Sequence, residues 1–193
     1  MGSSYGAQSG NAKPKGDWYE RRATSAAIKD ALTGPERLGE IVGIAVVILI
    51  TAYFAYSEVT NTGFFTSAFG TTEAALFYSS LLFGVVTGGT RAIMGRRNKV
   101  RPLEAAGGFL WVVTSFWLLM VFPFNFTYLA SAMPSSIQFL LSWISNDIGW
   151  AILLIGGLGG IFAVVDSTLM YVYVRRYLST RQEARRAESV SSQ

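Results

Sequence analysis

Asp166 and Arg91 are the two residues whose type and position allow chemistry inside an apolar segment. Asp166 lies in the fourth of four apolar stretches, nine residues before Arg175, and Arg91 lies near the end of the second. A carboxylate within a membrane is costly unless it is paired, protonated or hydrated. Asp166 is therefore predicted either to bind a proton or cation or to pair with Arg91. The apolar run 148–165 offers no polar path by which a proton or cation could cross the membrane, which favours the ion pair with Arg91.

Many kinds of catalytic and metal site are excluded by two missing residue types. The 193 residues include no Cys and no His. The chain therefore has no thiolate nucleophile, no imidazole base and no ordinary ligand for haem, zinc or copper. We predict no enzyme activity, no cofactor and no metal site, while an enzyme that uses carboxylates alone remains an open alternative.

Four apolar stretches must position the two charged residues. A helix of about 20 apolar residues spans the hydrocarbon core of a bilayer. The sequence therefore predicts an all-α integral membrane four-helix bundle. Its spans are predicted at 38–56, 74–94, 103–122 and 148–174.

The distribution of Lys and Arg predicts the topology. All sixteen fall before the first span, around the connection between the second and third, or after the fourth. The other two connections, 57–73 and 123–147, contain none. Because positive charge is retained on the cytoplasmic side, both termini are predicted to be cytoplasmic. No organelle signal is apparent, so the prokaryotic plasma membrane is the predicted location.

The remaining segments flank or interrupt a membrane domain over 38–174. Residues 1–16 are rich in Gly and Ser and are predicted to be a disordered cytoplasmic tail. Residues 17–37 are predicted to form a cytoplasmic helix, either along the inner membrane interface or exposed to solvent. A short interfacial helix is expected at 134–144, in the second outer loop, and residues 175–193 form a basic cytoplasmic tail.

Glycines at four-residue spacing predict close packing between helices. Small residues let helix backbones approach each other in membranes. No Lys follows the glycines of the fourth span, so they do not form a phosphate-binding loop. Whether these faces pack within the chain or against other subunits stays open. The predicted packing residues are Gly39, Gly43, Gly84, Gly88, Gly156 and Gly160.

These features favour a non-catalytic accessory or scaffold subunit of a larger membrane complex. The predicted partners are the lipid bilayer, anionic lipid headgroups at the basic loops, and membrane subunits in a homo- or hetero-oligomer. Nucleic acid is not among them, because the basic residues are placed as topology signals. The alternative is a small oligomeric channel or transporter, in which Asp166 and Arg91 lie at a cytoplasmic vestibule.

Overall fold

The computed structural model describes residues 18–191, apart from the side chains at 23, 181, 184–186 and 188. This part of the chain is all-helical, with two isolated backbone bridges and no strands. The segment predicted to be a disordered tail, 1–16, lies outside the described residues. The α-helices are α1 (Trp18–Ile28), α2 (Gly34–Val59), α3 (Thr71–Met94), α4 (Arg97–Val121) and α5 (Asn146–Ser191).

Four helices, α2 to α5, are long and apolar enough to cross a membrane. This confirms the predicted all-α class and the number of long apolar helices. The fifth helix has 46 residues and includes residues 175–191 of the segment predicted as a basic tail. At 1.5 Å per residue it is about 69 Å long, roughly twice the thickness of a hydrocarbon core.

Local sequence signals begin and end these helices. Thr33 donates its backbone N–H to Glu36 Oε2 at 2.9 Å, and Pro35 occupies the first turn of α2. This arrangement is half of a capping box, in which an acidic side chain binds an otherwise free N–H. At the end of α3, Gly95 adopts φ +60°, a left-handed conformation that lacks the usual penalty because glycine has no Cβ. Pro123 follows directly after the turn that ends α4.

The long helices pack as an open row. Helix α2 packs on α3, α3 on α4, and α4 on α5, with the most extensive contact between α4 and α5. No comparable packing joins α5 back to α2 within residues 18–191. The four predicted long helices are therefore present, but they do not form the closed bundle that was predicted. A closed bundle would bury the inward face of each helix against the opposite helix, whereas an open row leaves that face uncovered.

The two ends of the row differ in chemistry. At one end, named here the aromatic end, Phe64, Leu118, Phe124 and Leu129 are buried together. At the other, named the basic end, the chain before α2 contacts the turn between α3 and α4. Leu32 N–H donates to the Gly95 carbonyl at 2.9 Å, and Arg97 N–H donates to the Asp30 carbonyl at 3.0 Å.

Helix α1 lies against α5. Its residues Tyr19, Ala26 and Ala27 pack on the buried Met170 and Val174 of α5. The sequence left open whether this helix lies along an interface or in solvent. One of its faces is occupied by packing on α5.

The connection between α4 and α5 contains two short 3-10 helices, Phe126–Ala132 and Ser135–Leu140. The second lies within the segment where a short interfacial helix is predicted. Its Phe139 is 67% exposed, and the nearby Trp143 is 64% exposed. Both apolar side chains are available for contact outside the chain.

Candidate functional site

A network of three charged side chains joins three helices near the basic end. Arg91 of α3 donates to Glu40 Oε1 of α2 at 2.6 Å and to Glu104 Oε1 of α4. The Arg91 side chain is 29% exposed and each carboxylate is 22% exposed. A planar guanidinium suits this role, since its several N–H groups diverge and can reach two carboxylates at once. The network therefore links α2, α3 and α4 near the basic end.

Asp166 lies in a different ion pair. Its Oδ1 accepts a hydrogen bond from Arg22 Nη1 of α1 at 2.5 Å, and its Oδ2 accepts from Arg22 Nη2 at 3.3 Å. The predicted pair between Asp166 and Arg91 is therefore not formed. Asp166 instead fastens α1 to α5, with side-chain exposures of 43% for Arg22 and 20% for Asp166.

The order of the helices explains this correction. Helix α4 packs on both α3 and α5, so Arg91 meets an acid of α4 before it can reach one of α5. That acid, Glu104, was missed by the sequence reasoning, which considered Asp166 the one acid inside a span. The available signal was the short turn between α3 and α4, which brings residues on either side of it together.

A polar cavity of about 270 Å³ adjoins the network. It is lined by Glu40, Arg91, Arg97, Arg101 and Glu104. The Arg91 Nε atom is buried and has no hydrogen-bond partner among the described residues. The cavity combines two carboxylates with three guanidinium groups, so it suits charge pairing and bound water rather than proton abstraction. Within the described residues no group of three acidic, His or Cys side chains could hold a metal ion.

The open face of the row is lined by small residues. One groove of about 390 Å³ lies between α3, α4 and α5 and includes Gly84, Gly107 and Gly160. A second, of about 270 Å³, lies between α2 and α3 and includes Gly43, Gly84 and Gly88. Because Gly84 and Thr87 line both grooves, the two form one continuous concave surface, named here the glycine face. Glu40, Arg91 and Glu104 line its end nearest the basic end.

Some of the predicted packing glycines are used within the chain. A Cβ at Gly88 would lie 3.1 Å from Ile44, and one at Gly160 would lie 2.8 Å from Val112. Gly156 accepts a hydrogen bond at its carbonyl from Trp111 Nε1 at 3.0 Å. These three glycines allow the close contacts of α2 with α3 and of α4 with α5.

The other three predicted glycines are free of such contacts. Built Cβ atoms at Gly39, Gly43 and Gly84 have no neighbour within 4 Å. The sequence reasoning also missed Gly107 and Gly108, where a Cβ would approach Phe83 at 2.7 Å and Val164 at 2.9 Å. This adjacent pair lets α4 fit between α3 and α5, and the doubled glycine in the third span was the signal for it.

Comparison with known proteins adds no family assignment: no family model, curated protein or solved structure matches the chain.

Proposed function

We propose that this chain is a four-span integral membrane protein that acts as a non-catalytic accessory or scaffold subunit. Both termini face the cytoplasm, in a prokaryotic plasma membrane. The glycine face is the surface on which a helix of another subunit packs. The single observation that carries the proposal is the open row, which leaves a concave, small-residue surface across α2 to α5 uncovered.

The membrane placement is supported by the four long apolar helices and by the charge distribution. Many apolar side chains of α2 are exposed, including Leu38, Val42 and Leu49. Exposed apolar surface of this extent indicates a lipid or protein environment rather than water. The connections at the aromatic end, 57–73 and 123–147, contain no Lys or Arg, as expected of segments outside the cytoplasm.

The subunit role is supported by the unused glycines and the charged network together. Gly43 and Gly84 leave space at the centre of the glycine face, where a helix backbone can approach closely. Beside them, Glu40, Arg91 and Glu104 line the same surface. Charged groups are unfavourable against acyl chains, so a polar partner helix is a better neighbour for this surface than lipid.

Two matched pairs of substitutions test the proposal. Gly43→Leu and Gly84→Leu place a large side chain in the glycine face, and we expect them to reduce the mass of the detergent-extracted complex. Ala45→Leu and Gly89→Leu are the controls, because each lies on the same helix as its counterpart but on another face; Ala45 is exposed, and a Cβ built at Gly89 meets open space. Neither control residue lines the grooves.

All four variants should keep the fold, since Ala45 is exposed and a Cβ built at each of the three glycines meets no atom within 4 Å beyond its chain neighbours and its own helix backbone. A circular-dichroism spectrum and an unfolding midpoint check this for each variant. If the groove variants and the controls form complexes of the same mass, the glycine face is not the subunit contact.

A channel or transporter is the second candidate, and the polar cavity beside Arg91 is the observation in its favour. Asp166 does not line that cavity, so the vestibule would be built from Arg91, Glu40 and Glu104. The test measures ion flux in proteoliposomes that contain this chain alone. Flux in the wild type that is lost in Glu104→Gln would support this function over the scaffold role. Absence of flux in a correctly inserted protein supports the scaffold.

A further inference from the structure

A cleft at the basic end combines positive charge with an apolar wall. It has a volume of about 690 Å³, within the usual range for small-molecule sites. Four basic side chains and one carboxylate line it, giving a formal charge of +3. The basic residues are Arg96, Lys99, Arg101 and Arg175, and the acid is Asp30.

The positive charge of this cleft is only partly offset by described neighbours, since Glu104 and Asp166 attract Arg101 from outside the cleft without forming an ion pair with it. No carboxylate with a described side chain forms a salt bridge with any of the four basic residues. Asp30 is engaged elsewhere: its Oδ1 accepts from Asn98 N–H at 2.9 Å, and its carbonyl accepts from Arg97 N–H at 3.0 Å. Asp30 therefore caps the start of α4, and the cleft keeps an excess of three positive charges that suits an anion.

The apolar wall restricts what that anion can be. Met94, Pro102 and Leu178 line the same cleft, and Met94 is 54% exposed while Leu178 is 45% exposed. A soluble phosphate would use only the charges and leave this wall in water. A phospholipid would use both surfaces, with its headgroup against the basic residues and its acyl chains against the apolar ones.

We propose that this cleft binds one molecule of an anionic phospholipid. The inference rests on the proposed membrane orientation, in which the basic end faces the cytoplasm and the cleft lies at the inner headgroup level. It goes beyond general attraction of basic loops to the membrane, because it assigns recognition to one cleft and to particular side chains. Basic pockets between helices on the cytoplasmic side are suited to anionic lipid headgroups.

The test compares two double variants that remove the same charge. Lys99→Gln with Arg175→Gln alters the cleft, and Lys29→Gln with Arg176→Gln is the control. Arg176 is the immediate neighbour of Arg175 in α5, and neither Lys29 nor Arg176 lines the cleft. Lys99 and Arg175 are exposed, so their replacement should leave the unfolding midpoint unchanged.

Each protein is titrated in detergent micelles with phosphatidylglycerol or phosphatidylcholine, and bound lipid is counted by native mass spectrometry. We expect the wild type to retain one phosphatidylglycerol in preference to phosphatidylcholine. The cleft variant should bind phosphatidylglycerol about thirtyfold more weakly, at about fivefold per basic residue, while the control changes less than twofold.

Three results would overturn the proposal. Equal weakening in both double variants would mean diffuse attraction, and equal retention of the two lipids would mean no anion site. Displacement of phosphatidylglycerol by millimolar glycerol phosphate would assign the cleft to a soluble phosphate. Resistance of the chain to carbonate extraction from membranes is measured separately, so failure of lipid binding is distinguishable from failure of membrane insertion.

Discussion

Replacement of Arg91 by Gln should destabilise the helix row strongly, because it leaves two carboxylates without their counter-ion. The guanidinium bridges Glu40 and Glu104, and all three side chains are more than two-thirds buried. Removing one partner of a fully buried ion pair costs about 3–5 kcal/mol. Partial exposure places this network at the lower end, so we expect the free energy of unfolding to fall by about 3 kcal/mol.

The chain offers a matched control for this substitution. Arg97 pairs with Glu36 at 2.8 Å, and also joins α4 to α2, but the two side chains are 49% and 42% exposed. An exposed pair contributes about 0–1 kcal/mol. Arg97→Gln should therefore cost less than 1 kcal/mol. Both substitutions remove an arginine that pairs with glutamate, but one pair is mostly buried and the other is exposed. The difference between their costs therefore measures the effect of burial.

The measurement is denaturant unfolding in mixed micelles, monitored by tryptophan fluorescence. The triple variant of Arg91, Glu40 and Glu104, each replaced by Gln, provides a second check. It removes the uncompensated carboxylates as well as the cation, so it should recover most of the lost free energy. If Arg91→Gln costs no more than Arg97→Gln, the network is well solvated and its assigned structural role is wrong.

Further predictions address the aromatic end, the docking of α1 and the topology. Phe64→Ala should cost about 3–5 kcal/mol because the ring is 2% exposed among other aromatic rings, whereas Phe139→Ala should cost less than about 0.5 kcal/mol. Asp166→Asn should cost about 1 kcal/mol and speed hydrogen exchange in α1, since its arginine partner on that helix loses its counter-ion; unchanged exchange would refute this. Because the chain has no Cys, Ser67→Cys and Thr180→Cys report topology directly. An impermeant maleimide should label only Ser67→Cys in intact cells, and labelling of the other position would reverse the orientation.

The helices were predictable from local chemistry. Hydropathy marked four stretches of sufficient length, and Thr33 with Glu36 marked the start of α2. Gly95 and Pro123 lie where helices end, because one readily adopts a left-handed conformation and the other cannot donate a backbone hydrogen bond. These signals depend only on residues close together in the sequence, so they can be interpreted without knowing how the helices pack.

The charged pairs were not predictable in the same way. Asp166 and Arg91 were paired because both lie at a similar distance from the cytoplasmic ends of their predicted spans. That distance does not determine which helices are neighbours. With α4 packed between α3 and α5, Glu104 takes the place that was assigned to Asp166. Arg22, counted at first only as a topology signal, becomes the partner of Asp166.

The glycines illustrate the same limit. Gly84 and Gly88 have the spacing of a packing motif, yet of the two only Gly88 would bring an added Cβ against another helix. Gly39 and Gly43 share that spacing, and both face open space. A four-residue repeat shows that two positions share a helix face, but the neighbour of that face depends on the fold and on other chains.

The mass of the complex extracted from native membranes with a mild detergent tests the central claim most directly. A subunit should be recovered with stoichiometric partner chains, or as an oligomer of its own, at a mass well above 21.0 kDa for the polypeptide. Gly84→Leu should lower that mass and Gly89→Leu should not. Recovery of the wild type only as a 21.0 kDa monomer, correctly folded and with no partner, would contradict the account.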